Sequence, residues 1–389
     1  STQAHTLFPY TTLFRSKEVK KLRKSRWVGL LVCVSLFVIA FTASSFASQN
    51  WDEIITKAKE EGEVVTYGTS ARLNRVGDIM LAEYGITLKH AKMSDTEITE
   101  RIVREKEAGV HEVDFIMAED MLGVSEVLLP LGYVESFVPE MYRDVIPDEY
   151  QDPLVILVQA RSIVYNTEVY DECPISNLWE LTTDRWQGKV MMRDPETSST
   201  NSSFFAEIVD RADEIAAAYK DYFGQDIELT TDNAGWEFIK RLAKNVVVLG
   251  SDDDVAEAVG ARGQEDPPVG LCTVGKLRLN EEENLALGAA KYINPTNGYL
   301  YPAYGFIVSN APHPNAAKLL IRLLLTDAGA EAWTQDPGCF STNLNNSYNP
   351  NDPVGGLEAW REVTWSLRLD ATKKYFRDVL DFWIINRSS

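Results

Sequence analysis

The sequence predicts an α/β fold of two lobes, in which parallel-rich sheets are flanked by helices. The first half of the chain alternates short apolar strands with amphipathic helices, and such βαβ units place parallel strands between layers of helices. Beyond residue 48 about 340 residues remain, more than one hydrophobic core usually serves. Two long β-rich segments, residues 154–165 and 301–309, are suited to cross between two lobes.

The N-terminal segment is expected to lie outside this fold. Residues 7–16, LFPYTTLFRS, look like the in-frame translation of a sequencing adapter, so residues 1–16 are interpreted as an artefact. Residues 17–47 have the pattern of a secretory signal peptide: six basic residues, the apolar run 27–42 and small residues before a cleavage site. The alternative is an uncleaved anchor, because residues 27–47 are uncharged and long enough to span a bilayer.

The first half of the chain carries three strands and three helices in alternation. Strands are predicted at residues 63–69, 86–91 and 113–117, and helices at residues 73–84, 94–109 and from 121 to about 132. The first helix stops at Gly85, and the sequence SDTE at residues 94–97 is a capping box. Ligands of such sheets lie beyond the carboxyl ends of the strands, so residues 69–72 and 119–120 are expected on one rim.

The second half contains a loop with an unusual run of polar residues. A short strand at residues 189–192 leads to seven uncharged hydrogen-bonding residues at 197–203, and an amphipathic helix runs on to Tyr219. A helix N-terminus holds anions because its backbone N–H groups are unpaired and its dipole end is positive. One capping residue would satisfy the helix. The sequence therefore predicts an anion site, with a Ser/Thr-rich cap as the alternative.

The remaining predicted elements complete the second lobe and the C-terminus. Helices are expected at residues 179–188 with a turn, 232–245, 252–262 and 316–325, and strands at residues 246–249 and 269–274. Residues 357–384 are expected to be mostly helical and to pack their Trp residues against a lobe.

Composition excludes several classes of function. The net charge of −20 becomes −26 for residues 49–389, because residues 1–48 carry seven basic residues and one acidic residue. A chain this acidic, without a basic patch, repels nucleic acid, so no nucleic-acid partner is expected. Cys173, Cys272 and Cys339 form no disulfide framework, although one bridge is possible, and no metal site or cofactor is predicted. No GxSxG, P-loop or dinucleotide motif suggests catalysis, so no enzyme and no catalytic residue is predicted.

Several segments together resemble one family. They are EEGEVVTYGTS, VDFIMAED, SIVYNTEVY, LWELTTDRWQGKVMMRDPETSSTNSSFF and APHPNAAKLLIRLLLTDAGAEAW, following a secretory signal. This ordered set resembles the periplasmic solute-binding proteins of ABC importers with type 2 topology, in the ferric-iron branch, which also holds relatives for thiamine and phosphonates. The resemblance runs from about residue 51 to about residue 340.

The resemblance implies an architecture, a location and partners. Two lobes, residues 49–157 with 305–345 and residues 160–300, are expected to be joined by two hinge strands and to close on a ligand, with residues 346–389 as a C-terminal helical segment. A periplasmic monomer, soluble after signal cleavage, is implied, with an ABC permease and an ATPase as partners. A membrane-anchored sensor and, as a weaker alternative, a secreted enzyme are the competing interpretations.

The resemblance also implies which positions of this sequence would hold the ligands of a ferric ion. Ferric members carry a His after the first strand and a Tyr pair after the strand that here is residues 269–274, and these positions hold Ser70 and roughly Gly275-Lys276. Fe³⁺ prefers anionic oxygen donors, which Ser, Gly and Lys do not supply. The anion slot of the family corresponds to Ser198, Ser199, Thr200 and Asn201 here, and it is intact.

The predicted ligand is therefore a small solute with an anionic group, and a chelated iron(III) complex is the alternative. The turn at Thr69 and Ser70 and the polar loop are expected to hold the oxyanion from opposite lobes. Arg72 or Lys276 would add positive charge. Tyr301 is expected to line the cleft. Glu119 would receive a cationic end of the ligand or cap a helix.

Overall fold

The computed structural model describes residues 49–387. The expectations for the sequencing artefact and the signal peptide concern residues that lie outside the described part. Within residues 49–387, no helix combines the length and the apolar character needed to cross a membrane.

The described residues contain twelve strands and thirteen α-helices. The strands are β1 Glu63–Gly68, β2 Thr87–Lys92, β3 Phe115–Ala118, β4 Val134–Ser136, β5 Val155–Asn166, β6 Val190–Arg193, β7 Val246–Leu249, β8 Val269–Thr273, β9 Leu287–Ala289, β10 Gly298–Val308, β11 Cys339–Ser341 and β12 Trp365–Ser366. The helices are α1 Trp51–Glu61, α2 Leu73–Tyr84, α3 Asp95–Glu107, α4 Met121–Gly123, α5 Ser199–Asp210, α6 Ala212–Phe223, α7 Ala234–Leu242, α8 Asp252–Gly260, α9 Leu279–Glu282, α10 Pro314–Leu324, α11 Asp327–Thr334, α12 Leu357–Val363 and α13 Leu369–Arg387.

Two long antiparallel strands join two groups of parallel strands. The main strand order is β2-β1-β3-β10-β5-β8-β6-β7. β1 is parallel to β2 and β3, and β6 is parallel to β7 and β8, whereas β5 and β10 are antiparallel to each other and to their outer neighbours. We call the part built on β1–β3 the first lobe and the part built on β6–β8 the second lobe. The predicted fold class, two lobes with hinge strands, is confirmed.

Each lobe has its own hydrophobic core. The core of the first lobe contains Phe115, Leu320 and Trp333, and that of the second contains Trp179 and Phe205. β5 contributes Ile156 and Leu157 to the first core and Ile163 and Tyr165 to the second. All twelve residues of this strand are buried, so its apolar residues do not alternate with exposed polar ones, and its four polar residues, Gln159, Arg161, Ser162 and Asn166, are buried too.

The structure differs from the predicted elements mainly in the helices. The helix expected from residue 204 to residue 219 is two helices, because Arg211 leaves helical geometry (φ −95°, ψ 34°) and binds Glu207 and Glu214 on either side. Residues 178–186 form two short 3₁₀ helices, and residues 124–128 form a π-helical turn after α4. α1 and α11 were not among the predicted elements.

Candidate ligand-binding cleft

A cleft of about 320 Å³ opens between the two lobes, with β5 and β10 as its floor. Residues that follow the carboxyl ends of β1, β3 and β8 form its walls, as expected for sheets of this kind. Its lining comprises Thr69, Ser70, Ala71, Arg72, Arg75, Lys92, Glu119, Gln159, Arg161, Arg193, Asp252, Asp253, Thr273, Gly275, Lys276, Arg278, Glu282 and Tyr301.

The structure brings six of the ten residues predicted for the site to this cleft. They are Thr69, Ser70, Arg72, Glu119, Lys276 and Tyr301. The first four come from loops and a helix start of the first lobe, Lys276 follows β8 of the second lobe, and Tyr301 lies on hinge strand β10.

The four polar-loop residues Ser198, Ser199, Thr200 and Asn201 are buried at the start of α5 and do not line the cleft. The Tyr299 hydroxyl contacts Thr200 Oγ1 at 3.1 Å and Asn201 Oδ1 at 2.6 Å. The Ser199 hydroxyl donates to Asp95 Oδ2 of the first lobe at 2.5 Å. The expected arrangement, with this loop facing the turn at Thr69 and Ser70 across a ligand, is therefore not the one observed, because protein groups already contact the loop's polar atoms.

The cleft is positively charged within an acidic chain. Its lining contains seven basic and four acidic residues, a formal net charge of +3, whereas the whole chain carries −20. Lys276 Nζ lies 2.5 Å from Asp253, Arg278 lies 3.2 Å from Glu282, and Arg72 pairs with Asp336. Arg75 and Lys92 also line the cleft and make no ion pair among residues 49–387, although the charge of Arg75 acts on the Asp336 carboxylate. The surplus positive charge favours an anionic ligand.

Arg161, on hinge strand β5, supplies a buried charge at the floor of the cleft. Its guanidinium makes a bidentate pair with Asp252, at 2.7 and 2.8 Å, and also donates to Thr273 Oγ1 at 3.2 Å. Burial opposes the charged form, but the Asp252 carboxylate and nearby groups raise the pKa of Arg161 above its ordinary range. Conversely, although burial opposes it, the positive charge of Arg161 holds the pKa of Asp252 below its usual value.

Four arginines that line the cleft, Arg75, Arg161, Arg193 and Arg278, were not among the residues predicted for the site, and two of them illustrate why. Arg161 is the only charged residue in the apolar run LVILVQARSIVY, and that exception was an available signal. Arg193 ends β6, and its buried Nε atom has no hydrogen-bond partner in the part of the chain that the structure describes. Nothing in the local sequence distinguishes Arg193 from a surface arginine, because only the fold places it over the cleft.

Glu119 lies at the boundary between the cleft and the first lobe. Its carboxylate accepts hydrogen bonds from Thr69 Oγ1 at 2.9 Å and from Gln159 Nε2 at 3.2 Å. Burial and, secondarily, the negative charge of Asp95 raise the pKa of Glu119 above its usual value. The alternative role of helix cap belongs instead to Asp120, whose Oδ1 accepts the backbone N–H of Gly123 at 2.9 Å.

The cleft provides few metal ligands. Across the part of the chain that the structure describes, no group of three or more His, Cys, Asp or Glu residues could hold a metal ion. Ser70, Gly275 and Lys276, which stand where ferric relatives carry His and Tyr, all line the cleft. Within residues 49–387, Cys173, Cys272 and Cys339 are free thiols. The Tyr301 hydroxyl lies 3.2 Å from Thr273 Oγ1, and burial raises the pKa of this phenol well above its usual value.

A two-lobed fold around a charged cleft defines the class of binding proteins that close on a small solute. Residues 78–353 match the family of bacterial extracellular solute-binding proteins, and the chain belongs to this family. A comparison with curated protein sequences gives no significant match.

Similar solved structures share this fold at low sequence identity. The periplasmic binding protein AfuA from Actinobacillus pleuropneumoniae, with exogenous fructose-6-phosphate bound, has a TM-score of 0.66 at 18% identity, covering 84% of this chain and 99% of that one. Iron-bound HitA from Pseudomonas aeruginosa has 0.64 at 15%, covering 83% and 99%. Trichodesmium IdiA (FutA), in complex with iron and citrate, has 0.59 at 17%, covering 84% and 99%.

Proposed function

We propose that this protein is the substrate-binding component of an ABC uptake transporter, which captures a small anionic solute in the cleft and delivers it to a permease. The main support for the proposal is the charge of the cleft. Its lining has a formal net charge of +3, although the whole chain has a net charge of −20. Membership of the solute-binding family supports the transport role. This family and fold consist of binding proteins rather than enzymes.

The cleft contains groups suited to hold an oxyanion. Arg193, Arg75 and Lys92 have donors that no carboxylate of the described residues occupies, and the hydroxyls of Thr69 and Ser70 lie on the same lining. An Arg side chain can hold a carboxylate or a phosphate with two parallel hydrogen bonds. The acidic residues of the cleft would accept hydrogen bonds from hydroxyl or amino groups elsewhere on the solute. The anion-binding role predicted for the loop with Ser198, Ser199, Thr200 and Asn201 would require it to lose its contacts with Asp95 and Tyr299.

The similar structures suggest which solutes to test first. AfuA is described with fructose-6-phosphate and IdiA with iron and citrate, so both a phosphate ester and a carboxylate chelate occur in relatives of this fold. A chelated iron(III) complex remains the second candidate, since the chelator would supply the oxygen donors that this cleft lacks.

Isothermal titration of the mature protein tests the proposal. The panel contains fructose-6-phosphate, a phosphonate, thiamine, citrate, ferric citrate, a neutral hexose and free Fe³⁺. We expect an anionic member to bind, and Lys276→Met to weaken that binding roughly tenfold through the loss of a charged contact. Lys291→Met, an exposed lysine outside the cleft, is the matched control and should leave the affinity unchanged. Binding only of the neutral hexose or of free Fe³⁺ contradicts the proposal.

A periplasmic location, a cleaved signal and a monomeric state are parts of the same proposal. So are the lobe boundaries at residues 49–157 with 305–345 and at residues 160–300. Mass spectrometry of the exported protein should give a mature N-terminus near Ser48 or Gln49. Retention of residues 27–47 would favour the anchored sensor instead.

A further inference from the structure

Two helix N-termini from opposite lobes meet at one carboxylate. Asp95 is the first residue of α3, which follows β2 of the first lobe, and Ser199 is the first residue of α5, which follows β6 of the second lobe. In the sheet, β2 and β6 are separated by five strands. The Ser199 hydroxyl nevertheless lies 2.5 Å from Asp95 Oδ2, and only 2% of Asp95 and 3% of Ser199 is exposed.

The two helices differ in how the backbone N–H groups of their first turns are hydrogen-bonded. α3 has a complete capping box, in which Ser94 and Glu97 bind each other's backbone N–H groups. α5 has no side-chain cap of its own, although its N-cap residue, Ser198, is of a type that usually caps. The backbone N–H groups at the start of α5 therefore have no capping side chain from Ser198, and the carboxylate hydrogen-bonded to the Ser199 hydroxyl comes from the other lobe.

From this geometry we infer that Asp95 acts as an internal counterion, which holds the two lobes closed by taking the place of an anion between the N-termini of α3 and α5. The Asp95 carboxylate accepts a hydrogen bond from the Thr96 backbone N–H in the first turn of α3 and one from the Ser199 hydroxyl in the first turn of α5. A negative charge at this point interacts favourably with the positive dipole end of each helix. This inference concerns the regulation of the cleft in the proposed function, because lobe closure controls access to the cleft. The same carboxylate adds to the negative charge beside Glu119 at the cleft wall.

The inference predicts a closed ligand-free protein whose closure depends on the charge of Asp95. Asp95→Asn keeps the side-chain size and an oxygen that can accept from Ser199, but removes the charge. Small-angle X-ray scattering should show a larger radius of gyration for this variant than for the wild type. Added inorganic phosphate should return the variant to the compact form, because phosphate replaces the missing anion, with an affinity roughly tenfold above that of the wild type.

Two further variants separate this effect from a loss of folding. Ser199→Ala keeps the carboxylate and removes one hydrogen bond, so it should expand less than Asp95→Asn. Asp213→Asn removes an exposed aspartate from the first turn of α6 and should leave the scattering profile unchanged. Circular dichroism of each variant checks that the secondary structure is retained.

The results of the scattering experiment can be distinguished from those of the titration with solutes. An Asp95→Asn protein as compact as the wild type, or one that expands and does not respond to phosphate, overturns the inference. If the wild type binds no anionic solute but Asp95→Asn expands and recloses with phosphate, the proposed function fails while the closure device stands.

Discussion

A single residue, Arg161, connects the hinge to the floor of the cleft. Its side chain is buried, lies 5.8 Å from the ring centroids of both Tyr299 and Tyr301, and pairs with Asp252 at the start of α8. A buried ion pair of this kind contributes little net stability when complete, but the loss of one partner leaves an uncompensated charge in the interior. We therefore expect Arg161 to matter for folding as well as for ligand binding.

Replacement of Arg161 tests this expectation directly. Arg161→Met should lower the free energy of unfolding by about 3–5 kcal/mol, measured by urea denaturation, because the Asp252 carboxylate loses its main partner. The double variant Arg161→Met with Asp252→Asn should recover part of the loss, since the unpaired charge is gone. Lys57→Met, in an exposed pair with Glu53, should change little. A single variant as stable as the wild type would show that Arg193 and Lys276 alone compensate Asp252.

Glu119 gives a prediction with a defined dependence on pH. Burial raises the pKa of its carboxyl in the folded protein above the ordinary value of 4.5, so the folded state binds this proton more tightly than the unfolded state does. Stability should therefore fall as the pH rises through 4.5 toward the folded value, and remain lowered above it. Glu119→Gln removes this titration and preserves an acceptor for Thr69.

The melting temperature of Glu119→Gln relative to the wild type should thus increase as the pH rises above the ordinary value of 4.5. Glu53→Gln should show the opposite sign, because Lys57 lowers the pKa of Glu53. A difference between Glu119→Gln and the wild type that does not vary with pH would contradict the assignment.

At the scale of elements, local sequence signals predicted most of the fold. The capping box at Ser94, the stop at Gly85 and the apolar run of β5 each depend on nearby residues, and each element lies within a few residues of its predicted position. The environment of the loop at 197–203 could not be predicted in this way. Its polar atoms contact Asp95 and Tyr299, about a hundred residues away in either direction, and only the tertiary fold specifies such contacts.

The pairing of β5 with β10 brings the two backbones very close together at one glycine. Gly298, at the start of β10, has φ +153°, and a Cβ atom there would lie 2.2 Å from the Arg161 carbonyl oxygen. Gly298→Ala should therefore force the hinge strands apart and lower the free energy of unfolding by at least about 2 kcal/mol in urea denaturation.

Gly85→Ala provides the matched control for this substitution. Gly85 also has positive φ (+72°), but apart from its chain neighbours no atom of the described residues lies within 4 Å of the position its Cβ would take. Only backbone strain is then expected, about 1 kcal/mol. Equal losses in the two variants would mean that the contact with Arg161 is relieved without separating the strands.

At the scale of the whole molecule, two lobes share one sheet and one pair of hinge strands. The chain exposes a strongly acidic surface, while the lining of the inter-lobe cleft is basic. The sequence predicted the two lobes and six residues of the cleft, because both follow from the order of strands. It did not predict which charged side chains would meet in the cleft. Arg161 lies on β5 and Arg193 on β6, and these strands are not neighbours, because β8 lies between them.

The shared strands predict that the two cores unfold together. β5 contributes side chains to both cores and β10 does the same, with Tyr299 in the second core and Ile307 in the first. Trp179 is fully buried in the second core and donates its indole N–H to the Ile215 carbonyl at 2.8 Å. Trp179→Ala should lower the free energy of unfolding by about 3–5 kcal/mol, and the loss should appear in both lobes.

Hydrogen exchange in increasing urea, followed by mass spectrometry of peptides, measures this coupling. Peptides from α10 in the first lobe and from α7 in the second should lose protection at the same urea concentration in Trp179→Ala, below that of the wild type. Tyr292→Ala, at a residue that is 69% exposed, should leave both transitions in place. If only the second lobe shifts, the lobes unfold independently. The hinge strands would then connect the two cores without coupling their stability, and closure of the cleft would rest on contacts such as that between Asp95 and Ser199.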